Sequence, residues 1–352
     1  MKRISVSASK RYDVLIGSGL FAELGERAAQ VLRSRRLAVV SDTNVAPLYL
    51  QRALECLRAS GFEVDSFVFP AGEASKCGQT YLSLLNFLAE KHLTRADALV
   101  ALGGGVVGDL TGFAAATYLR GIASVQVHTT LLACVDSSVG GKTAIDLPAG
   151  KNLAGAFYQP DLVLCDTQLL KTLPAEVFSD GCAEVIKYGM LGSAELLERL
   201  LQAPAGEQLE YVVAKCVDMK RDVVEGDEFD TGRRQLLNLG HTFAHSIEAA
   251  SHYTIPHGRA VAMGMRLITR AAVDKGLCPA RCLEVLEALL EKHGLPLYTD
   301  MDAESLAQGA LSDKKRAGGM LNLVVPCAFG ESRLNPVPVA ELTDWARAGL
   351  KP

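Results

Sequence analysis

No CxxC pair occurs in the chain. Its cysteines number nine, an odd count, and the two nearest in sequence, Cys278 and Cys282, stand four apart. That excludes a disulfide framework in a chain of 352 residues and points to reduced thiols in a cytoplasmic protein. Excess charge of either sign is missing too. The formal net charge is −4, so bulk electrostatics draw the chain toward neither nucleic acid nor an anionic membrane, and neither is expected as a partner. No apolar core follows the charges of MKRISVSASKRYDVLIG, so no secretory signal is expected. Internal repeats and low-complexity segments are absent from the sequence. What remains is ordinary globular composition, 49% hydrophobic and 22% charged, in a chain long enough for two domains with substantial cores.

The stretch with the clearest chemistry is ALVALGGGVVGDLTGFAAATYLRG, Ala98 to Gly121. An apolar run, Ala98 to Leu102, breaks into Gly103-Gly104-Gly105 and closes with Gly108-Asp109; a small-residue helical pattern follows from Leu110 to Leu119. Strand, glycine turn and helix are the order of a nucleotide-binding βα unit. Glycine admits close approach of a ligand to the backbone, and the helix N-terminus favours a phosphate. The spacing matches neither GxGxxG nor GxxxxGK[ST], so a tight turn without a ligand is the competing reading. Asp109, Arg120 and the glycines argue against a membrane helix.

Around this unit the first half of the chain alternates. Strand patterns at Tyr12 to Gly17, Leu37 to Ser41, Phe62 to Phe69, Ala98 to Leu102, Ser124 to His128 and Asp161 to Cys165 are interleaved with helical patterns at Gln51 to Ser60 and Lys76 to Lys91. Such alternation predicts a mainly parallel, Rossmann-like sheet covered on both faces, with ligands at the carboxyl ends of its strands. After Leu170 to Pro174 the texture becomes helical, near 182–202, 207–225, 236–250, 257–275 and 279–293, with one late strand candidate, Leu321 to Pro326. The expected organisation is an α/β domain over 1–168 and a mainly α-helical domain over 169–352.

Metal-ligating residue types gather in the second half. His241 and His245 stand one helical turn apart, but Thr242 occupies the place of the glutamate in HExxH, so that protease motif fails. His257 opens another helical pattern, and Glu184 lies in an otherwise apolar helical window where a buried carboxylate needs a partner. One carboxylate with two imidazoles suits a catalytic zinc site, although spacing alone does not bring Glu184 to any histidine. Lys142, Lys151, Lys187, Lys220, Arg234, Lys314 and Lys315 sit beside glycines or in polar breaks. They read either as a solvated face or as a pocket for a phosphorylated, carboxylated substrate.

Taken together, GGGVVGD (Gly103–Asp109), HTT (His128–Thr130), DSSVGGKTAID (Asp136–Asp146), GKN (Gly150–Asn152), LKTLP (Leu170–Pro174), AEVIKYG (Ala183–Gly189), NLGHTFAHSIE (Asn238–Glu248), HGRAVAMGM (His257–Met265) and DKK (Asp313–Lys315) resemble the 3-dehydroquinate synthase family of sugar phosphate cyclases, in order from about residue 36 to 330. The resemblance implies an NAD- and zinc-dependent lyase of the shikimate pathway, with cobalt as an alternative metal. It implies a homodimer that converts 3-deoxy-D-arabino-heptulosonate 7-phosphate to 3-dehydroquinate and phosphate. In that chemistry a substrate alcohol is oxidised transiently, phosphate is eliminated, the ketone is reduced again, and an aldol step closes the carbocycle.

The resemblance also implies roles, position by position. The metal ligands fall on Glu184, His241 and His257. The NAD contacts fall on Asp42, Asn44, Glu73, Lys76, Gly104, Gly105, Val106, Gly108, Asp109, Thr129, Thr130, Lys142, Lys151 and Thr172. The catalytic and substrate-pocket residues fall on Arg120 (from the neighbouring subunit), Asp136, Lys142, Asn152, Lys187, Lys220, Arg234, Asn238, His245 and the Lys314-Lys315 pair. Two departures stand out: Arg259 in HGRAV where the family commonly has Glu, and Asp230 where it often has Glu. Another sugar phosphate cyclase, a metal-dependent alcohol dehydrogenase and a non-catalytic NAD-binding regulator are the rival readings; Asn238 and His245 favour the dehydroquinate synthase pattern over the first.

Overall fold

The computed structural model describes residues 1–33, 35–313 and 319–351. They divide into two compact units: unit 1 is Met1–Leu173 with Lys220–Phe229, and unit 2 is Pro174–Met219 with Asp230–Pro352.

Unit 1 contains the strands β1 (Lys2–Ser7), β2 (Arg11–Gly17), β3 (Arg36–Asp42), β4 (Glu63–Phe69), β5 (Ala98–Gly103), β6 (Ala123–His128), β7 (Lys142–Leu147), β8 (Gly150–Phe157) and β9 (Leu162–Asp166), and the helices α1 (Leu24–Val31), α2 (Ala46–Ala59), α3 (Gly78–Glu90) and α4 (Gly105–Thr117). Seven strands form one sheet in the order β1-β2-β9-β6-β5-β3-β4. All neighbours are parallel except β1, which pairs antiparallel with β2 at the edge. β3, β5 and β9 carry short continuous apolar runs because both faces are covered; β5 is buried at every position, while β6 buries Ser124, Gln126 and His128 between its apolar residues. Alternation then divides β3 and β5 between two cores. Leu37 and Val39 of β3 face a cluster with Ala28 of α1 and Leu57 of α2. Ala38 and Val40 face the opposite cluster, with Leu84 of α3 and Leu110 of α4.

Several features depart from the sequence expectation. The helix after the glycine turn starts at Gly105 rather than Leu110. Glycine costs about 1 kcal/mol in a helix interior relative to alanine, but α4 packs too closely for larger residues: a Cβ at Gly112 would collide with the Thr143 side chain on β7. The antiparallel β7–β8 hairpin was unexpected because glycines at Gly150 and Gly155 interrupt its alternation. β1 and α1 were likewise not expected.

The described residues of unit 2 are mainly helical, with one hairpin. Its elements are α5 (Ala175–Gly192), α6 (Ala194–Gln202), the first part of α7 (Leu209–Gly226), α8 (His241–Ala250), α9 (His257–Asp274), α10 (Ala280–Lys292), α11 (Ala303–Asp313), the antiparallel strands β10 (Met320–Ala328) and β11 (Glu331–Pro338), and α12 (Leu342–Gly349). α9 is the central helix, buried on most of its surface and packed by α5, α8, α10 and α12. A cation is buried in it. Arg266 reaches Glu287 of α10 at 2.9 Å and donates to the carbonyls of Gly349 and Lys351 at 2.9 and 3.0 Å, tying the end of the chain to α9. Among the described residues no helix is long and apolar enough to cross a membrane.

Candidate functional site

In unit 1 the site-forming residues collect at the carboxyl ends of β3, β5 and β6. Gly104 caps α4, and Gly105, Val106, Gly108 and Asp109 form its first turns. The Thr129 amide donates to the Gly103 carbonyl at 3.0 Å, which locks the segment after β6 onto the turn. A Cβ at Gly104 would press on Thr130. Beside this turn two hydroxyl oxygens, Oγ1 of Thr129 and Oγ of Ser137, are buried without a hydrogen-bond partner. Glycines that leave the backbone bare, a helix N-terminus and orphaned hydroxyls fit a phosphate-bearing dinucleotide.

Lys76 stands next to this turn and is 4% exposed. Its Nζ lies 2.6 Å from the Asp109 carboxylate and donates to Asn152 Oδ1 at 2.5 Å. Burial alone would depress an ammonium, but Asp109, Glu73 and Asp146 outweigh it and hold the Lys76 pKa above its ordinary value. Asn152 takes a left-handed backbone conformation, φ 56°, with its amide held by Asp146 Oδ1 at 2.8 Å. Asp42, at the end of β3, uses Oδ1 to accept the amides of Asn44 and Val45 at 2.8 and 2.9 Å, starting α2.

In unit 2 three helices converge. Glu184 of α5 is fully buried. Its Oε1 lies 3.6 Å from His241 Nε2 on α8 and 3.5 Å from His257 Nε2 on α9. One ligand atom from each residue falls within 4.8 Å of the others, the sole such trio of potential ligands among the described residues. Lys187, one turn along α5, contacts Oε2 of the same carboxylate. Helix packing produces this convergence. A Cβ at Gly264 on α9 would overlap the Gly240 carbonyl just before α8, so the two helices meet backbone to backbone. The start of α9 is pinned to α5 by Asp180, whose Oδ1 accepts the Arg259 amide at 2.9 Å.

Each histidine has its second nitrogen engaged. His241 Nδ1 is 3.1 Å from the Leu239 carbonyl, and His257 Nδ1 is 3.5 Å from Glu248 Oε1. Burial pulls both imidazoles down. At His241 it prevails, aided by the Lys187 cation, and the pKa is lowered to about 3; at His257 the two carboxylates outweigh it and raise the pKa to about 10. One carboxylate and two imidazoles, both presenting Nε2 to the same oxygen, fit a divalent cation with a position left for substrate.

Comparison with known proteins bears on this geometry. Residues 66–180 match the model for the 3-dehydroquinate synthase N-terminal region, and residues 181–316 match that for its C-terminal region. A 3-dehydroquinate synthase of Caulobacter vibrioides (strain NA1000 / CB15N) is 45% identical over 348 residues, covering 94% of each chain. The chain belongs to the 3-dehydroquinate synthase family. Solved structures of related cyclases share the fold. A 2-deoxy-scyllo-inosose synthase complexed with carbaglucose-6-phosphate, NAD+ and Co2+ aligns with TM-score 0.87 at 26% identity, covering 99% of this chain and 100% of the other. The 2-epi-5-epi-valiolone synthase of Streptomyces hygroscopicus subsp. jinggangensis 5008, with NAD+ and Zn2+ bound, aligns with TM-score 0.88 at 26% identity, covering 99% of each.

The other residues to which the family resemblance assigns roles are distributed as follows. In unit 1, Asp136 lies in a π-helical turn, Ala133–Ser137, and Lys220 Nζ approaches both its Oδ1 and its carbonyl at 2.7 Å. Lys142 and Lys151 belong to the β7–β8 hairpin, with Lys151 electrostatically close to Glu73. The Thr172 hydroxyl is 2.6 Å from the Tyr49 hydroxyl. Arg120 is exposed after α4, with φ 69°. In unit 2, Arg234 is buried and Asn238 half-buried in the turn Arg233–Asn238, and the His245 ring lies 5.6 Å from that of His241. Lys314 and Lys315 lie outside the described residues. Arg259 contributes its backbone amide to the Asp180 contact, a role indifferent to the side chain.

Sequence reasoning passed over Ser137, Asp146, Asp180 and Glu248. For Glu248 a signal existed: it follows His241 by seven residues, two helical turns, and so shares its face of α8.

Proposed function

We propose that this protein is the enzyme that converts 3-deoxy-D-arabino-heptulosonate 7-phosphate to 3-dehydroquinate and phosphate in the shikimate pathway, with NAD recycled within each turnover. The observation that carries this reading is the convergent Glu184–His241–His257 trio, its carboxylate fully buried, in a chain of this family. Under it, unit 1 is the NAD-binding domain and unit 2 the metal- and substrate-binding domain. Glu184, His241 and His257 hold zinc, or cobalt, which when bound supplies Lewis acidity to a substrate hydroxyl. Bound NAD supplies a hydride acceptor that returns the hydride before release.

The chain's own residues do the rest. The amides of Gly104, Gly105 and Val106 and the hydroxyls of Thr129 and Thr130 receive the dinucleotide phosphates, with Gly108 in the first turns of α4 beside them. Asp42, Asn44, Glu73, Lys76, Asp109, Lys142, Lys151 and Thr172 position the rest of the cofactor. A carboxylate at Asp42 favours a free ribose hydroxyl over a phosphorylated one, hence NAD over NADP. Lys187, Lys220, Arg234, Lys142 and the Lys314-Lys315 pair neutralise the substrate phosphate and carboxylate and the charge that develops as phosphate leaves. Asp136, Asn152, Asn238 and His245 orient its hydroxyls. In a homodimer, Arg120 serves the neighbouring subunit's pocket. The enzyme works in the cytoplasm.

The decisive assay incubates purified protein with the heptulosonate phosphate, catalytic NAD+ and zinc. Phosphate is expected one for one with 3-dehydroquinate while NADH absorbance stays flat. NADH growing in step with substrate loss would instead indicate a dehydrogenase. Turnover of sedoheptulose 7-phosphate or glucose 6-phosphate alone would move the protein to a different cyclase.

A further inference from the structure

His257 is held between two carboxylates on opposite nitrogens. Nε2 faces Glu184 Oε1 and Nδ1 faces Glu248 Oε1, each at 3.5 Å. Glu248 is 3% exposed and comes from α8, the helix that also supplies His241. One face of α8 therefore contributes both a member of the trio and the group behind a second member. The two histidines are supported unequally: behind His241 stands a neutral carbonyl, Leu239 O, and behind His257 a carboxylate.

A histidine can bind a metal through only one of its nitrogens while the other carries a proton, and the partner of that proton decides which. A carboxylate partner also makes the ring a stronger donor and places negative charge near the cation. We propose that Glu248 is the positioning residue of the metal site: it accepts the Nδ1–H of His257, fixes the tautomer that leaves Nε2 as ligand, and adds the charge that sets metal affinity. This rests on the metal reading of Glu184, His241 and His257. Glu248 does not itself touch the ion.

The test measures zinc binding to the full-length apoprotein by competition with a chromophoric chelator. It compares wild type with Glu248→Ala, Glu248→Gln and His257→Ala, and follows unfolding of each apoprotein in the presence of EDTA. Loss of the carboxylate should raise the zinc Kd about 10- to 100-fold in Glu248→Ala. In Glu248→Gln, which keeps an acceptor oxygen but not the charge, the rise should be about tenfold. The apo unfolding midpoint of the Gln variant should stay near wild type. A lowered midpoint with an unchanged Kd would mean a merely structural role and overturn the proposal. If the Ala variant does not fold, the Gln variant decides, and a Kd within twofold of wild type refutes the proposal. His257→Ala separates the two levels: wild-type zinc affinity there would sink the metal assignment itself, whereas its loss beside an unaffected Glu248 series would sink only the role of Glu248.

Discussion

In unit 1 the phosphate-binding part of the candidate nucleotide site centres on one stretch of chain, Gly103 to Asp109, where the groups on offer are backbone amides bared by glycine. In unit 2 the candidate metal site draws Glu184, His241 and His257 from three helices, and its working atoms are side-chain termini. The contrast extends to histidine. His128 ends β6 beneath α4, with Nε2 3.1 Å from Gln126 Oε1, and burial lowers its pKa to about 4. His257, half-buried between two carboxylates, is raised to about 10. A site made of backbone should fail when atoms are added to it, and one made of side chains when atoms are removed.

The largest effect is expected from removal. Glu184→Ala should abolish stoichiometric zinc and slow phosphate release about 10³-fold or more, since the Lewis acidity of a bound metal contributes several kcal/mol. Elemental analysis beside a phosphate assay checks this, and full zinc occupancy with normal turnover would break the comparison at its root.

Next in size is a pH effect confined to unit 1. Because burial depresses the folded-state pKa of His128 from 6.5 to about 4, the unfolded chain binds the extra proton first. The stability due to neutral His128 is complete above pH 6.5 and drains away as pH falls toward 4, by about 3 kcal/mol in all. Urea unfolding of wild type and His128→Gln at pH 7.5 and pH 4.5 should show a smaller acid loss in the variant; parallel losses would mean that other groups carry the dependence.

The smallest effect tests addition. A Cβ at Gly105 meets nothing closer than Ser137 Oγ at 3.7 Å, so Gly105→Ala should fold within about 0.5 kcal/mol of wild type. If a phosphate must approach that backbone, NAD+ affinity should nonetheless fall about tenfold, a 1.4 kcal/mol effect. Calorimetric titration showing undiminished binding would remove the close-approach argument.

The same contrast explains what was legible in the sequence. β3, β5 and β9 could be found because parallel strands covered on both faces carry continuous apolar runs, β6 by its alternation, and the glycine turn because its parts are adjacent. The β7–β8 hairpin hid behind its glycines, and β1, β11, α11 and α12 gave no pattern strong enough to mark. For the trio, spacing was mute. It offered His241 with His245 as readily as with His257, and the family resemblance, not periodicity, singled out the latter. The reason is packing: a backbone contact at Gly240 and Gly264 and the Asp180 clasp bring the first residue of α9 to Glu184, and such contacts leave no local signature. Glu248 escaped for a different reason, since its partner is a ring on another helix.

Unit 1 is not continuous along the chain. Its last residues, Lys220–Phe229, follow the whole of Pro174–Met219, and they complete it with specific bonds. Lys220 meets Asp136; Glu225 accepts the Ser7 amide at 2.6 Å; Glu228 accepts from Ser9 and from Gln159. A ribosome adding about 5–20 residues per second therefore leaves the sheet without the full set of these partners for roughly 3–11 s after Leu173 is joined. Through that interval the β1–β2 turn and the π-helical turn wait in a nascent chain already extended into helical sequence. The final closure of the first unit to be synthesised is thus timed by elongation through part of the second.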